Sequence, residues 1–277
     1  MTAKLSSIQS ENPLVLIGGG RMGAAMLSGW LAGGLDVSAV TVVEPFETTR
    51  EALSASHAGL QVVSSIDDVA ATPSIVILAV KPQVMGDVMA PLRAWDKALF
   101  VSIAAGKTLG YFEAHLGADR SIIRVMPNTP AAVGAGISVA VGNAQVTADH
   151  KSLATALLQA VGMVDWVEDE GLIDAVTAVS GSGPAYVFHL VEAMTQAGIA
   201  AGLDAPLASR LARQTVIGSG VLMAEDDADA ATLRQNVTSP GGTTQAALDV
   251  LMGDNRLVDL LTEAIAAAKK RSTELSS

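Results

Sequence analysis

Cysteine is missing from this sequence of 277 residues. A chain without thiols cannot form disulfides, cannot use a cysteine nucleophile and cannot build a cysteine zinc site. Cysteine-free composition is compatible with the reducing cytoplasm, and the polar N-terminal residues contain no apolar signal-peptide centre. We therefore expect a cytoplasmic protein.

Histidine is scarce, and its four copies are scattered along the chain as His57, His115, His150 and His189. None of them belongs to a spacing typical of metal ligands, such as two histidines on successive turns of one helix. We expect no metal site. The chain also offers no evident catalytic histidine, so any chemistry must rely on other groups.

Long apolar runs and basic clusters are also lacking. The longest strand-like run, residues 74–80, is far shorter than the roughly 18 residues of a membrane span. The net charge is −11, and the short Lys-Lys-Arg at residues 269–271 falls where the last turn of a predicted helix would favour cations. We expect neither a membrane nor a nucleic-acid partner.

What the chain does contain, up to about residue 167, is an alternation of short apolar runs with helical stretches. Such alternation predicts an α/β doubly wound sheet, and runs that are apolar throughout indicate strands covered on both faces. The predicted strands are residues 14–18, 39–44, 60–63, 74–80, 98–104, 121–126 and 137–142. We assign residues 1–167 to this first domain.

Residues 168–277 are rich in alanine and leucine and are predicted to form an all-helical domain. Several of these helices are apolar around much of their circumference, which is more surface than a small bundle can bury by itself. A homodimer, in which two copies cover these faces, is the simplest explanation.

A glycine-rich turn stands where the first predicted strand meets the first predicted helix, in the segment LVLIGGGRMG at residues 14–23. Gly18, Gly20 and Gly23 form a G-x-G-x-x-G pattern, the arrangement that binds a dinucleotide when a strand precedes it and a helix follows. The first two glycines allow a tight turn and a close approach of the pyrophosphate, and the third allows close helix packing.

Glu44 ends the second predicted strand, about twenty residues after Gly23. In dinucleotide-binding sheets an acid at this place accepts hydrogen bonds from the adenosine ribose. A carboxylate there would repel a ribose 2′-phosphate and favour NADH. Arg21 and Arg50 argue the other way, because either could pair with that phosphate, so both cofactors stay open.

Five further segments carry the more specific signals: AVKPQ at residues 79–83, SIAAG at 102–106, VMPNTP at 125–130, SGSGPAY at 180–186 and NVTSPGGTT at 236–244. Taken in order with the glycine turn, they resemble the pyrroline-5-carboxylate reductase family. The resemblance runs to the last helix, and NVTSPGGTTQAALDVL is its most specific part.

This resemblance implies a Rossmann domain followed by a helical dimerisation domain in a homodimer or higher homo-oligomer. The implied reaction is the reduction of a cyclic imine to L-proline by NADPH or NADH, at a site that also involves helices of the partner subunit. The implied cofactor residues are Ile17, Gly18, Gly19, Gly20, Arg21, Met22, Glu44, Ala79, Val80, Lys81, Pro82, Ala104, Ala105, Gly106 and Asn128. The implied substrate residues are Ser239, Gly241, Gly242, Thr243 and Thr244; we add Asp227 to them and expect Thr244 to be the catalytic group.

Two positions depart from the family pattern. Arg21 stands in the glycine turn where asparagine or glutamine is more usual, which puts the cofactor preference in doubt. Asp227 lies near the place where some members have a glutamate on the substrate side.

The chemistry of imine reduction is consistent with these residues. The cofactor carries the hydride, so the protein has mainly to orient the reactants. Backbone amides at a helix start can hold a carboxylate, and a threonine hydroxyl can bond the ring nitrogen. Simpler interpretations remain for three positions: Lys81 as a solvated loop residue, Asn128 as a turn residue and Thr244 as a helix cap.

Three alternative functions also remain open. The first is another NAD(P)H-dependent imine or β-hydroxyacid reductase, although the latter type uses a lysine that the helix after SGSGP lacks. The second is a noncatalytic dinucleotide sensor. The third is a methyltransferase with a glycine-rich loop for S-adenosylmethionine.

Overall fold

The computed structural model describes residues 8–11 and 13–276, so most of the polar N-terminal stretch lies outside the described residues. The chain packs as two units. The sheet unit comprises the residues up to Gly181 together with the C-terminal segment from Lys269. The helical unit is Ser182–Ala268.

One eight-stranded sheet forms the sheet unit, with strand order β3-β2-β1-β4-β5-β6-β7-β8. Its strands are β1 Leu14–Ile17, β2 Val40–Val43, β3 Gln61–Val63, β4 Ile75–Leu78, β5 Leu99–Ser102, β6 Ile122–Met126, β7 Gly136–Gly142 and β8 Gly162–Trp166. Neighbouring strands are parallel except β6 and β7. All seven predicted strands are present, and β8 is an addition that the sequence did not predict.

Helices cover both faces of this sheet, as the continuous apolar runs required. They are α1 Arg21–Ala32, α2 Glu47–Ser56, α3 Met85–Leu92, α4 Leu109–Leu116 and α5 Ala148–Leu158. Every residue of β1, β2, β4 and β5 is buried. One core layer contains Trp30, whose indole N–H donates to the Leu157 carbonyl at 2.9 Å, and the other contains Phe100 and Phe112.

The short helix α6, Ile173–Val176, and a π-helical turn at Thr177–Gly181 end the first stretch of the sheet unit. The last strand ends at Trp166, and the packed unit continues to Gly181.

The helical unit contains no strand among its residues, all of which are described. Its helices are α7 Gly183–Ala200, α8 Ala205–Glu225, α9 Ala230–Asn236 and α10 Thr243–Met252, followed by α11 Arg256–Ser276, which continues into the sheet unit. The predicted fold class, a doubly wound sheet followed by a helical domain, is confirmed. The last helix runs beyond its predicted end, so residues 269–271 are not in its final turn.

In the part of the chain that the structure describes, no helix has the length and apolar character needed to cross a bilayer.

Candidate active site

The predicted cofactor segments lie at one edge of the sheet. Strands β1 to β6 run parallel, so their carboxyl ends share this edge. The strand order reverses between β1 and β4, which lie side by side with β2 and β5 outside them. In doubly wound sheets a ligand binds in the crevice that such a reversal creates.

The glycine turn connects β1 to α1 at this reversal point. Gly18 has a φ of +104°, a conformation that favours glycine, and a Cβ there would lie 2.9 Å from the Ala79 carbonyl oxygen. A Cβ on Gly23 would lie 2.2 Å from the Gly18 carbonyl oxygen. Both glycines are therefore required by packing, as the motif predicted.

Gly20 differs from the other two, because no described atom lies within 4 Å of the position a Cβ would take. It precedes α1 as the N-cap residue, and no side chain among the described residues caps that helix. The first amides of α1, from Arg21 onward, thus face an open space beside a helix N-terminus. This geometry fits the pyrophosphate of a dinucleotide.

Glu44 lies at the end of β2 with only 5% of its surface exposed. One carboxylate oxygen accepts a hydrogen bond from the Gly19 amide at 2.9 Å, and the other accepts from the Phe46 amide at 3.0 Å. The side chain therefore ties the β2 end to the glycine turn. Each oxygen keeps a lone pair for a ribose hydroxyl.

The two arginines near Glu44 have different surroundings. Arg50 donates through Nη1 to the Glu44 carbonyl at 3.0 Å and to the Pro45 carbonyl at 2.7 Å, so it holds the loop after β2. Arg21 is exposed and makes no ion pair within the described residues. Of the two, Arg21 has the free guanidinium.

The segment after β4 packs on the glycine turn. The Ala79 amide donates to the Ile17 carbonyl at 2.9 Å, and the Val80 side chain approaches Gly18. Lys81 is exposed and precedes Pro82, which starts a short 3-10 helix. Ala79 and Val80 thus line the turn by contact, whereas Lys81 fits the solvated interpretation equally well.

The segment after β5 begins with Ser102, which is fully buried and accepts from the Ala104 amide at 3.3 Å. The next residues reach the same edge, and Gly106 has a φ of +72°. Asn128, after β6, accepts from the Ile137 amide at 3.0 Å through Oδ1. This hydrogen bond ties the loop after β6 to the start of β7, and the assignment of Asn128 to the cofactor stays a prediction.

The predicted substrate segment lies in the helical unit, at the start of α10. Gly242 is the N-cap residue, its amide donates to the Ser239 carbonyl at 3.0 Å, and no side chain in the described part of the chain caps the helix. Gly241 has a φ of +69°, and no described atom lies within 4 Å of its Cβ position. The turn therefore presents backbone amides at an uncapped helix start.

Thr243 and Thr244 are the first two residues of α10. The N-cap position belongs to Gly242, and neither threonine side chain makes a capping hydrogen bond among the described residues. The Thr244 side chain is half-buried and Thr243 is exposed. Neither hydroxyl has a hydrogen-bond partner among the described residues, so both are available to a ligand.

Asp227 is exposed in the loop between α8 and α9, and no hydrogen bond joins it to the Ser239–Thr244 segment. The neighbouring Asp229 has a clear structural role. Its carboxylate accepts from the Thr232 amide at 2.7 Å, and this hydrogen bond holds the pKa of Asp229 below its usual value.

A cavity of about 420 Å³ lies elsewhere in the helical unit, between α9 and α10. Arg234, Gln245 and Asp249 are among its lining residues, but none of the predicted substrate residues is. No group of three or more potential metal ligands is present within residues 8–11 and 13–276.

The structure also draws attention to Phe46, a residue that sequence reasoning did not select. Its ring is 70% exposed and it directly follows the Glu44-Pro45 pair whose carbonyls hold Arg50. An exposed aromatic ring at this edge offers a flat apolar face to a base. The signal in the sequence was an aromatic two residues after the acid of β2.

Comparison with known sequences covers both units. A sequence model described as pyrroline-5-carboxylate reductase dimerisation matches residues 170–275, and one described as NADP oxidoreductase coenzyme F420-dependent matches residues 13–106. The pyrroline-5-carboxylate reductase of Pseudomonas aeruginosa is 42% identical over 265 residues, which cover 95% of this chain and 96% of that protein.

Solved structures agree with the sequence comparison. A pyrroline-5-carboxylate reductase from Coxiella burnetii superposes with a TM-score of 0.91 at 36% identity, covering 96% of this chain and 99% of the other. The Plasmodium falciparum pyrroline carboxylate reductase with NADP bound gives a TM-score of 0.79 at 30% identity, covering 97% and 100%.

Proposed function

The chain belongs to the pyrroline-5-carboxylate reductase family, and from this premise we propose that it reduces 1-pyrroline-5-carboxylate to L-proline with NADPH or NADH. The observation that carries the proposal is that the similarity to a pyrroline-5-carboxylate reductase extends over 95% of the chain and so includes both the sheet unit and the helical unit. A dinucleotide sensor or a methyltransferase would need only the sheet unit with its glycine turn.

The cofactor would lie along the carboxyl edge of the sheet. The open space at Gly20 and the uncapped N-terminus of α1 suit its pyrophosphate. The Glu44 carboxylate would face the adenosine ribose, and the exposed ring of Phe46 offers a face for the adenine. Bound NAD(P)H supplies the hydride, which is chemistry that no side chain of this chain can perform.

The substrate offers one carboxylate and one ring nitrogen as handles. In our proposal the amides of Gly242 and Thr243 bind the carboxylate, because they begin an uncapped helix after a glycine turn. The Thr244 hydroxyl contacts the ring nitrogen, since it is half-buried and has no partner among the described residues. It can accept from a charged N–H and help to move a proton as the amine forms.

The family's dimerisation region indicates assembly with copies of the same chain. We propose a homodimer as the smallest active form, with the exposed apolar helices of the helical unit as its interface. We also propose that the enzyme works in the cytoplasm, where NADPH and NADH are available.

The test follows NAD(P)H absorbance with the cyclic imine and each cofactor in turn, with proline identified as the product. The proposal predicts imine-dependent oxidation of at least one cofactor and stoichiometric proline. If neither NADPH nor NADH is oxidised in the presence of the imine, the proposal is wrong. A β-hydroxyacid substrate run beside the imine controls for the related reductase type and is expected to give no turnover.

A further inference from the structure

The last two turns of α11 belong to the sheet unit, although most of that helix lies in the helical unit. Two hydroxyls attach these turns to Asp174 of α6. Ser272 donates to one carboxylate oxygen at 2.6 Å, and Thr273 donates to the other at 2.8 Å. Hydrogen bonds to a charged acceptor are short and strong, so this is a firm attachment.

The attachment is built into the sheet unit. Ser272 is only 7% exposed, and it is the one buried residue of α11. Thr273 Oγ1 also lies 3.2 Å from the Lys269 carbonyl within its own helix, and of the two acceptors the Asp174 carboxylate is the closer, at 2.8 Å. The same helical stretch carries Arg271, which is paired with Glu274 and exposed to solvent.

The other side of this helix end touches the loop after β5. A Cβ on Gly106 would lie 3.0 Å from the Leu275 carbonyl oxygen and 3.5 Å from the Leu275 Cβ. Gly106 also has a φ of +72°, so both its conformation and its neighbour require glycine. The loop of Ala104 to Gly106 therefore packs directly against the backbone of the C-terminal helix.

We propose that the end of α11 is a clamp that positions the loop of Ala104 to Gly106 for the cofactor, with Asp174 as its anchor. Asp174 is a positioning residue: it holds Ser272 and Thr273, which place Leu275 against Gly106. The inference rests on the proposed function, which sets residues 104–106 against NAD(P)H. Nothing in the family's motifs selected Asp174 or residues 272–276.

The clamp acts on binding through the population of the ordered loop. When the loop is ordered for cofactor binding in only a fraction of the molecules, the apparent dissociation constant of the cofactor rises by the inverse of that fraction. If release of the helix end leaves about one-tenth of molecules competent, the cofactor dissociation constant rises about tenfold. Turnover at saturating cofactor stays close to that of the parent, because the bound cofactor selects the ordered loop.

The experiment uses the full chain with Ser272→Ala and Thr273→Val combined, which removes both donors and keeps the helix. Arg271→Ala is the matched control, since it alters an exposed side chain of the same stretch. Three quantities are measured: the NADPH dissociation constant by fluorescence titration, the split between cofactor KM and kcat, and hydrogen exchange of residues 103–107. Asp174→Ala breaks the same contact from the other side.

The clamp predicts a higher NADPH dissociation constant and cofactor KM, faster exchange at residues 103–107, and little change in kcat, for both Asp174→Ala and the double variant. Adding Asp174→Ala to the double variant should have little further effect, because both variants remove the same two hydrogen bonds. Arg271→Ala should behave like the parent.

If the helix end exchanges faster while cofactor affinity and exchange at residues 103–107 do not change, the contact only fastens the helix and the clamp is wrong. Loss of folding in Asp174→Ala leaves the double variant to decide. A parent enzyme that binds NADPH but does not reduce the imine would refute the proposed reaction and not the clamp. A parent that does not bind NADPH would refute both.

Discussion

The sheet unit and the helical unit bury their apolar residues to very different extents. In the sheet unit, β1, β2, β4 and β5 have no exposed residue, and Trp30, Phe100 and Phe112 are almost completely enclosed. In the helical unit, only Ala208 and Ala212 are buried hydrophobic residues, and every residue of this unit is described.

The exposed residues of the helical unit are large. Phe188 is 65% exposed, Val221 52% and Leu260 63%. Exposed apolar side chains in such number are typical of a surface that binds another protein. The sheet unit thus completes its core within one chain, whereas the helical unit leaves large apolar side chains exposed, as expected if the proposed homodimer covers them.

A charge placed on the exposed apolar face of the helical unit should have the largest effect. Phe188→Asp should abolish assembly and with it activity, because a carboxylate would be buried without a partner at the interface. Light scattering measures the assembly and the imine assay measures the activity. Met163→Asp, at a 70% exposed apolar position of the sheet unit, is the control and should change neither. Retained assembly in Phe188→Asp would place the interface elsewhere.

The glycine turn offers a second large effect, confined to the sheet unit. Gly20→Val should abolish NAD(P)H binding and leave the melting temperature unchanged, because its Cβ would enter the open space at α1 and its φ of −66° suits any residue. Fluorescence titration and thermal unfolding measure the two quantities. Gly23→Ala provides the contrast: its Cβ would clash with the Gly18 carbonyl, so stability should fall. Normal cofactor affinity in Gly20→Val would refute the site.

Substitution of Thr244 tests the proposed substrate contact in the helical unit. Thr244→Val keeps the shape and removes the hydroxyl, and we expect a loss of about 1–3 kcal/mol of transition-state stabilisation, or a roughly 5- to 150-fold lower kcat. NAD(P)H affinity should not change. Thr243→Val should act mainly on the substrate KM, because its amide makes the proposed contact. A lower melting temperature with normal turnover would assign Thr244 a purely structural role.

Glu44 should give the smallest effect, on the ratio between the two cofactors. Glu44→Ser removes the charge near the ribose, so relative efficiency with NADPH should rise while affinity for both cofactors falls with the lost Gly19 hydrogen bond. Glu44→Gln keeps an acceptor oxygen and separates charge from hydrogen bonding. Steady-state kinetics with each cofactor measures the ratio. A parent enzyme that already prefers NADPH strongly would show that Arg21 outweighs the acid.

The parts of the fold that depend on short stretches of sequence could be predicted. Seven strands followed from apolar runs, and four of them, β1, β2, β4 and β5, are buried along their whole length, as expected of strands covered on both faces. Strand β8 was not predicted: Asp165 interrupts its apolar residues, and its burial alternates as in an edge strand. The glycine turn was predictable for a local reason too, since the φ of +104° at Gly18 and the contact of Gly23 with the Gly18 carbonyl both arise within the turn.

The features that depend on distant partners were not predictable. The helix α11 continues to Ser276 through serine and threonine residues that favour helix ends, because Asp174, 98 residues earlier in the chain, accepts from Ser272. Likewise, no pattern indicated that both Glu44 oxygens would bond backbone amides or that Arg50 would be held by two carbonyls. The end of α11 and the hydrogen bonds of Glu44 and Arg50 depend on tertiary contacts, which the sequence alone does not show.

The mass of the protein in solution tests the central difference between the two units most directly. A single chain has a mass of 28.2 kDa. Light scattering at micromolar concentration should give at least twice that value, because the exposed apolar helices need a second copy to cover them. A stable, active species at 28.2 kDa would contradict the account, since its helical unit would then be complete without a partner.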